Sequence, residues 1–185
     1  EKLINKVRLF KKSKNLQFIE ANIIVVENAV VALQKIAAHH RRKFDIPVIG
    51  ITGSNGKTIV KEWLYHILRS QFNIIRSPKS YNSQVGVPLS ILQMNKHHTL
   101  AIFEAGISLP GEMEALEYMI MPTLGLLTNI GTAHLENFEN TNALINEKRA
   151  LFKNCQYIHI DDKDQFTDLH VEKQGNHCKI NANWN

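Results

Sequence analysis

The segment Thr52 to Thr58, TGSNGKT, holds the residues of this chain best suited to binding a phosphate group. Glycines let successive backbone N–H groups point at one anion, and a helix that begins there adds partial positive charge. In the P-loop motif the lysine reaches the β- and γ-phosphates, and the Ser or Thr hydroxyl binds Mg²⁺. Ile51 replaces the first glycine of the usual G-x-x-x-x-G-K-[ST] pattern, whereas the GKT end is intact. The sequence therefore predicts a phosphate site here, with an ordinary glycine-rich turn before a helix as the alternative.

Four other polar residues lie after predicted strands, in a predicted helix or in a turn. Glu104 ends the apolar run TLAIF, where a carboxylate beside a P-loop is suited to bind Mg²⁺, unless it is a surface glutamate. His134, in TNIGTAHLENF, follows another apolar run, although a single histidine is more often structural. By pattern alone, Lys148 in NEKRALF is a solvent-facing helix lysine, and Asn82 in YNSQVGVP is part of a turn.

Alternating strand and helix patterns predict an α/β fold, a mostly parallel sheet flanked by helices that is P-loop NTPase-like. Strands are predicted at 47–52, 73–76, 99–104, 123–130 and 156–160, with a last edge strand at 177–180. Helices are predicted at 28–43, 58–70, 86–94, 111–121 and 141–153. Ligands of such sheets bind beyond the carboxyl ends of the strands, so the polar residues are expected to meet there.

Apolar spacing also predicts which residues of three helices face the core. The predicted inward residues are Val31, Leu33, Ile36 and Ala37, then Val60, Leu64, Ile67 and Leu68, and finally Leu144, Ile145, Leu151 and Phe152. The run HHRRK, His39 to Lys43, is expected to be a solvated helix end.

Composition excludes several classes of protein. The chain has 185 residues, 44% of them hydrophobic, and a net charge of +5, which suits phosphorylated substrates but indicates no nucleic-acid partner. No apolar run is long enough to span a membrane and no signal peptide opens the chain, so we expect a cytoplasmic protein without a membrane partner. Cys155 and Cys178 have neither metal-ligand nor disulfide spacing.

Together, these motifs resemble the Mur ligases. The matching segments, in order, are TGSNGKT, N-x-x-x-G-V-P-L, E-x-G, TNIG-x-AH-x-E, and a lysine that precedes a phenylalanine by four positions. The family's P-loop, TG-[TS]-N-GKT, has no glycine at the position of Ile51, which explains why the first glycine of the usual pattern is missing. The resemblance covers about residues 22–155 and is greatest to the ligases that add D-alanyl-D-alanine to UDP-N-acetylmuramoyl-tripeptide.

The resemblance implies a domain organisation and an activity. Residues 1–45 are expected to be the tail of the N-terminal substrate domain with a linker helix, and 46–185 the central ATP-binding domain, without the C-terminal domain. The implied reaction converts a substrate carboxylate to an acyl phosphate with ATP, and an amine then displaces the phosphate. The implied partners are the small-molecule substrates UDP-MurNAc-peptide and D-Ala-D-Ala, together with the missing domains. This segment alone is expected to bind nucleotide weakly and not to turn over.

The resemblance also implies a role for each matching residue. The implied phosphate and nucleotide ligands are Gly53, Ser54, Asn55, Gly56, Lys57, Thr58 and Asn129. Thr58 and Glu104 would hold a first Mg²⁺, and Glu104 and His134 a second metal ion. Lys148 falls where the family carries a carbamylated lysine, and Asn82 in the loop near the phosphates and the acyl group. The implied catalytic residues are Lys57, Asn82, His134 and Lys148.

Other functions stay open on the sequence. The chain has Gln84 and Glu139-Asn140 where the family often has an acidic residue and Gly-Ser, which weakens the subtype assignment. Another Mur ligase remains possible, as does a folylpolyglutamate synthase-like ligase, whose usual GKGS loop Thr58 does not match. A P-loop binding module gated by nucleotide, a nucleic-acid-binding ATPase and a degenerate ligase domain are the alternatives from other classes. A GTPase would need an N-K-x-D motif, which the chain lacks.

Overall fold

The computed structural model describes residues 24–131 and 134–160, and the backbone of two further strands at 169–174 and 177–182. Within these described residues there are five helices: α1 (Ala29–Arg41), α2 (Lys57–Leu68), α3 (Gly86–Ile91), α4 (Glu112–Ile120) and α5 (Thr141–Arg149). The strands are β1 (Val48–Thr52), β2 (Ile74–Arg76), β3 (Leu100–Glu104), β4 (Leu124–Leu127), β5 (Tyr157–Ile160), β6 (Leu169–Gln174) and β7 (His177–Ala182). Single 3-10 turns cover Leu135–Asn137 and Ala150–Phe152. The first 23 residues of the predicted substrate-domain tail lie outside the described part.

Five of the strands form one parallel sheet in the order β2-β3-β1-β4-β5. The strand before TGSNGKT, β1, is therefore central, with β3 and β4 as its neighbours. In the register of the sheet, Ile51 pairs with Glu104 on β3 and with Leu126 on β4. The carboxyl ends of these three strands are thus level, and the predicted α/β fold with a parallel sheet is confirmed.

The predicted edge strand at 177–180 does not join this sheet. It is part of β7, which pairs antiparallel with β6 in a separate two-stranded sheet. The sequence analysis missed β6. The short run at 177–180 predicted a strand but carried no information about its pairing partner.

Helices cover both faces of the parallel sheet. On one face α2 packs over Ile51, Leu100 and Ile102, which are buried at 0–3% exposure. On the other face α1, α3, α4 and α5 enclose the larger core. Its members include Ala37, Val87, Phe103, Met113, Leu116, Leu127, Leu144 and Leu151. All four predicted inward residues of the last helical region are buried. No helix among the described residues is long and apolar enough to cross a bilayer.

The predicted inner face of α1 is partly wrong. Val31 and Ile36 are 41% and 53% exposed, and the buried residues of this helix are Ala37, Ala38 and Arg41. The helix approaches its neighbours closely through the two alanines, because small side chains allow two backbones to come together.

The run HHRRK is a solvated helix end at His39, Arg42 and Lys43, as predicted, but Arg41 within it is buried. Its guanidinium donates hydrogen bonds to the carbonyl oxygens of Ile120 (2.9 Å), Phe44 (2.7 Å) and Met121 (3.2 Å). Two of these carbonyls lie at the end of α4, where a helix leaves backbone acceptors without intrahelical donors. Burial lowers the pKa of Arg41. The prediction is therefore wrong only at Arg41, whose hydrogen bonds satisfy backbone carbonyls at the end of α4.

In α2 one predicted core residue is misplaced. Val60, Leu64 and Leu68 pack against the sheet, whereas Ile67 is 67% exposed. The helix instead buries a lysine, Lys61, at 0% exposure.

Candidate functional site: the P-loop cleft

The loop between β1 and α2 depends on two glycines with positive φ. Gly53 has φ of 141°, and Gly56, the residue before α2, has φ of 80°. A Cβ atom on Gly53 would lie 2.1 Å from Thr128 Oγ1. That hydroxyl cannot easily move, because it donates a 2.6 Å hydrogen bond to the carbonyl oxygen of Asn55. The loop can therefore fold in this form only with glycine at position 53.

Gly53→Ala is expected to destabilise the domain by about 2 kcal/mol, because it adds backbone strain and a clash with a fixed hydroxyl. Gly111→Ala is the matched control: Gly111 has φ of 82°, but a Cβ there would meet no atom within 4 Å. The free energy of unfolding of the control should fall by only about 1 kcal/mol, the cost of an alanine in the left-handed conformation. Urea unfolding of the intact protein measures both, and equal losses would contradict the close contact at Gly53.

The segment after β4 braces this loop. The backbone N–H of Ser54 donates to the backbone carbonyl oxygen of Asn129 at 2.9 Å, and the backbone N–H of Asn55 donates to Asn129 Oδ1 at 2.8 Å. Ser54 Oγ also lies 2.9 Å from the backbone nitrogen of Gly131. The predicted nucleotide residue Asn129 thus shapes the loop, and the N–H groups of Ser54 and Asn55 are engaged within the protein. The donors that remain for an anion are those of the first turn of α2, whose first hydrogen bond runs from Val60 to Gly56.

Lys57 folds back over the loop. Its Nζ donates to the carbonyl oxygens of Gly53 at 2.6 Å and Ser54 at 3.4 Å. Burial lowers the pKa of Lys57, while the negative charge of Glu104 acts in the opposite direction. The ammonium group of Lys57 is thus held against the loop by two backbone carbonyl oxygens.

Thr58 and Glu104 meet at the base of the loop. Thr58 Oγ1 donates to Glu104 Oε2 at 3.0 Å, and the glutamate side chain is fully buried. A hydroxyl and a carboxylate oxygen are ligands that Mg²⁺ accepts, so the two residues fit the predicted metal. Within the described residues, no three His, Cys, Asp or Glu side chains converge to hold a metal ion. A second metal at Glu104 and His134 therefore stays a prediction.

A cleft of about 290 Å³ opens beside the P-loop. Four predicted catalytic residues line it together: Lys57, Asn82, His134 and Lys148. Gly53, Ser54 and Gln84 also line the cleft, whereas Thr58, Glu104 and Asn129 are outside its lining. His134 is exposed and has φ of 65°, a left-handed conformation. Residues far apart in the chain thus converge on one cavity, as the level strand ends require.

Lys148 is only 2% exposed, so its interpretation as a solvent-facing helix lysine is wrong. Burial lowers its pKa to about 8, and the positive charge of Lys57 contributes to the shift. Leu144 and Leu151 belong to the same helical region and are buried as well. The helix thereby turns Lys148 inward, into the cleft.

Asn82 is held against the segment that follows β3. The backbone N–H of Gly106 donates to the backbone carbonyl oxygen of Asn82 at 2.8 Å. A Cβ on Gly106 would lie 2.9 Å from Asn82 Cγ. The neighbouring Gln84 donates from Nε2 to the carbonyl oxygen of Glu112 and accepts a hydrogen bond from Gln34, both at 2.8 Å. Gln84, which replaces the acidic residue common in the family, therefore joins α1 to the start of α4.

Sequence reasoning missed two polar residues of this region, Lys61 and Thr128. Lys61 Nζ lies 3.0 Å from Glu104 Oε1, with both side chains at 0% exposure. Its position four residues after Lys57 was the available clue, because two lysines at this spacing share a helix face and repel each other. A nearby anion relieves this repulsion, and Glu104 supplies it here.

A central parallel strand, a glycine-dependent loop ending in Lys57-Thr58, and a buried carboxylate on the next strand define a P-loop nucleotide-binding domain. The family model of the Mur ligase middle domain matches residues 51–183. The chain therefore belongs to the Mur ligase family, and the matched part is its middle domain.

Curated relatives and solved structures agree with this assignment. UDP-N-acetylmuramoyl-tripeptide–D-alanyl-D-alanine ligase from Synechocystis is 41% identical over 111 residues, 60% of this chain and 24% of that protein. The ligase of the same name from Borreliella burgdorferi is 34% identical over 152 residues, 82% of this chain and 32% of that protein. MurF from Thermotoga maritima, solved with ADP, matches with a TM-score of 0.70 and 32% identity, over 80% of this chain and 36% of that one. The chain thus spans about a quarter to a third of the length of these relatives.

Proposed function

We propose that this chain is the ATP-binding part of a ligase that adds D-alanyl-D-alanine to UDP-N-acetylmuramoyl-tripeptide. The observation that carries the proposal is the cleft in which Lys57 of the P-loop meets Asn82 and Lys148. The similarity to curated ligases of that activity and to a MurF structure with ADP supports it. The N-terminal substrate domain and the C-terminal domain would be supplied by the rest of the protein. We propose that the reaction takes place in the cytoplasm, where ATP is available.

In the proposed mechanism, the P-loop holds the phosphates of ATP. The first-turn N–H groups of α2 and the Lys57 ammonium face the β- and γ-phosphates and offset the charge that develops on phosphoryl transfer. Thr58 and Glu104 would hold Mg²⁺, with His134 and Glu104 at a second metal ion, and bound Mg²⁺ supplies further neutralisation of the phosphates. The substrate carboxylate attacks the γ-phosphorus, and ADP leaves. The neutral amine then attacks the acyl carbon, expels phosphate and releases one proton to solvent.

Lys148 would contribute as its carbamate. A neutral amine is needed to attack CO₂, and the lowered pKa of about 8 leaves more neutral amine near pH 7 than an ordinary lysine has. The product is an N-carboxylate, formed with release of one proton to solvent. Carbamylation would turn a cation that repels Lys57 into an anion that attracts it. Asn82, fixed against Gly106, would orient the acyl group beside it.

The experiment that tests the proposal is phosphate release by the intact protein that contains this chain. It is supplied with Mg²⁺, ATP, UDP-MurNAc-tripeptide and D-Ala-D-Ala, and each component is then omitted in turn. We expect release only when all four are present. Release with another amino acid, or with a folate substrate, would retain the acyl-phosphate chemistry and reject the proposed substrate. Nucleotide binding without release under any condition would instead support a binding module gated by nucleotide.

A further inference from the structure

Lys61 carries a fully buried ammonium group that the proposed mechanism does not use. Its Nζ lies 3.0 Å from Glu104 Oε1 and donates to the carbonyl oxygens of Ser77, at 2.8 Å, and of Lys79. An ammonium group without water must be paired and hydrogen-bonded, since a buried unpaired charge is very costly. All three of these partners come from elements other than α2.

The two oxygens of Glu104 are divided between two neighbours on α2. Oε1 faces the Lys61 ammonium, and Oε2 accepts the hydrogen bond of the Thr58 hydroxyl at 3.0 Å. The backbone N–H of Glu104 also donates to Ser77 Oγ at 3.1 Å. The carboxylate is therefore held at both oxygens and the residue also at its backbone, and Oε2 is the oxygen on the side of the P-loop threonine.

We propose that Lys61 is a positioning residue for the metal ligand Glu104. By holding Oε1, it fixes the carboxylate before Mg²⁺ arrives and presents Oε2 alone, next to the Thr58 hydroxyl. The inference rests on the proposed binding of Mg²⁺ and nucleotide at the P-loop. A metal ligand that is already in position binds Mg²⁺ without the entropic cost of ordering its side chain. Lys61 should therefore increase only the part of the nucleotide affinity that depends on Mg²⁺.

The same ammonium group also anchors the loop that carries Asn82. The carbonyls of Ser77 and Lys79 lie directly after β2, and Lys79 adopts a left-handed φ of 48°. The chain then enters the cleft at Asn82. Lys61 thus joins α2, the loop after β2 and the end of β3 at a single atom.

The exposed glutamate next to Lys61 does not explain its burial. Glu62 Oε1 lies 3.2 Å from the ammonium, but its side chain is 36% exposed and also pairs with Arg76 at 3.1 Å. An exposed pair of this kind contributes little to stability. This glutamate therefore offers a matched control: its removal takes one carboxylate from Lys61 and leaves Glu104 in place.

The test measures ADP affinity of the intact protein by calorimetry, once in EDTA and once in saturating Mg²⁺. For Lys61→Met we expect affinity in EDTA within threefold of wild type, because the P-loop backbone is unchanged. The gain in affinity on adding Mg²⁺ should fall at least tenfold. Glu62→Gln should keep both values within twofold.

A Lys61→Met protein with the wild-type gain from Mg²⁺ would overturn the inference and leave Lys61 a structural residue only. If that variant fails to fold, Lys61→Arg keeps the positive charge but displaces it. Its gain from Mg²⁺ should fall at least threefold, and a wild-type gain would overturn the inference. A wild-type protein whose ADP affinity does not respond to Mg²⁺ would instead refute the proposed metal site itself.

Discussion

Lys148→Ala is expected to lower substrate-dependent phosphate release by the intact protein about 10²- to 10³-fold, the size of losing one fixed electrostatic group. Lys148 is the buried amine of the cleft, and its proposed carbamate is the anion that faces Lys57. Removing it leaves the P-loop unchanged, so ADP affinity should remain within a few-fold of wild type. Steady-state phosphate release and calorimetric ADP binding separate the two effects.

The matched control for this prediction is Lys153→Ala, which removes an exposed lysine five residues further along the chain. It should retain wild-type turnover. Acetate or formate added to Lys148→Ala supplies a small carboxylate that can occupy the vacated space, and it should restore part of the activity. Equal rates for Lys148→Ala and wild type would contradict the role of Lys148. Lost activity without carboxylate rescue would favour a role as an amine over a carbamate.

Most of the fold follows from local sequence patterns. The alternation of short apolar runs with amphipathic segments predicts a parallel sheet, since parallel strands require crossover helices. The position of β1 at the sheet centre does not follow from the sequence, because strand order depends on pairing between distant segments. The same holds for β7, whose partner β6 could not be inferred from an apolar run alone.

The errors in predicted burial share one physical cause. Periodicity identifies an apolar face, but tertiary partners decide which polar residues are buried with it. Arg41 is buried because the end of α4 presents free carbonyls, and Lys61 because Glu104 and the loop after β2 surround its ammonium. Both are charged residues whose partners lie far away in the sequence.

The candidate site was predictable where its residues follow strands. Lys57, Asn82 and His134 come after strands and line one cleft, as expected. Lys148 lies on α5, and its helix pattern alone wrongly predicted a solvent-facing side chain. The internal bonds of the P-loop were not predictable. Ser54 and Asn55 donate their N–H groups to Asn129, a contact between loops that are far apart in the sequence. Residue type indicates that a loop can bind phosphate, but only the folded contacts show which donors remain open.

Lys148→Met is expected to make the protein more stable than wild type at pH 7 in buffer free of CO₂. Burial and Lys57 lower the pKa of Lys148 from 10.5 to about 8 in the folded state. At about 1.4 kcal/mol per unit, the protonated lysine then costs about 3 kcal/mol of unfolding free energy, and methionine of similar length removes that cost. Urea unfolding of both proteins at pH 7 measures the difference.

The pH dependence of this difference has a definite sign. Below pH 8 the lysine is protonated in both folded and unfolded states, so the full cost is present. Between pH 8 and 10.5 the unfolded state binds the extra proton, and wild-type stability therefore rises with pH relative to the methionine variant. The advantage of Lys148→Met should shrink steadily between pH 8 and 9.5, and a constant advantage would show that Lys148 is not a desolvated cation. Adding bicarbonate at pH 8 should also shrink it, because carbamylation replaces the repelled cation with an anion beside Lys57.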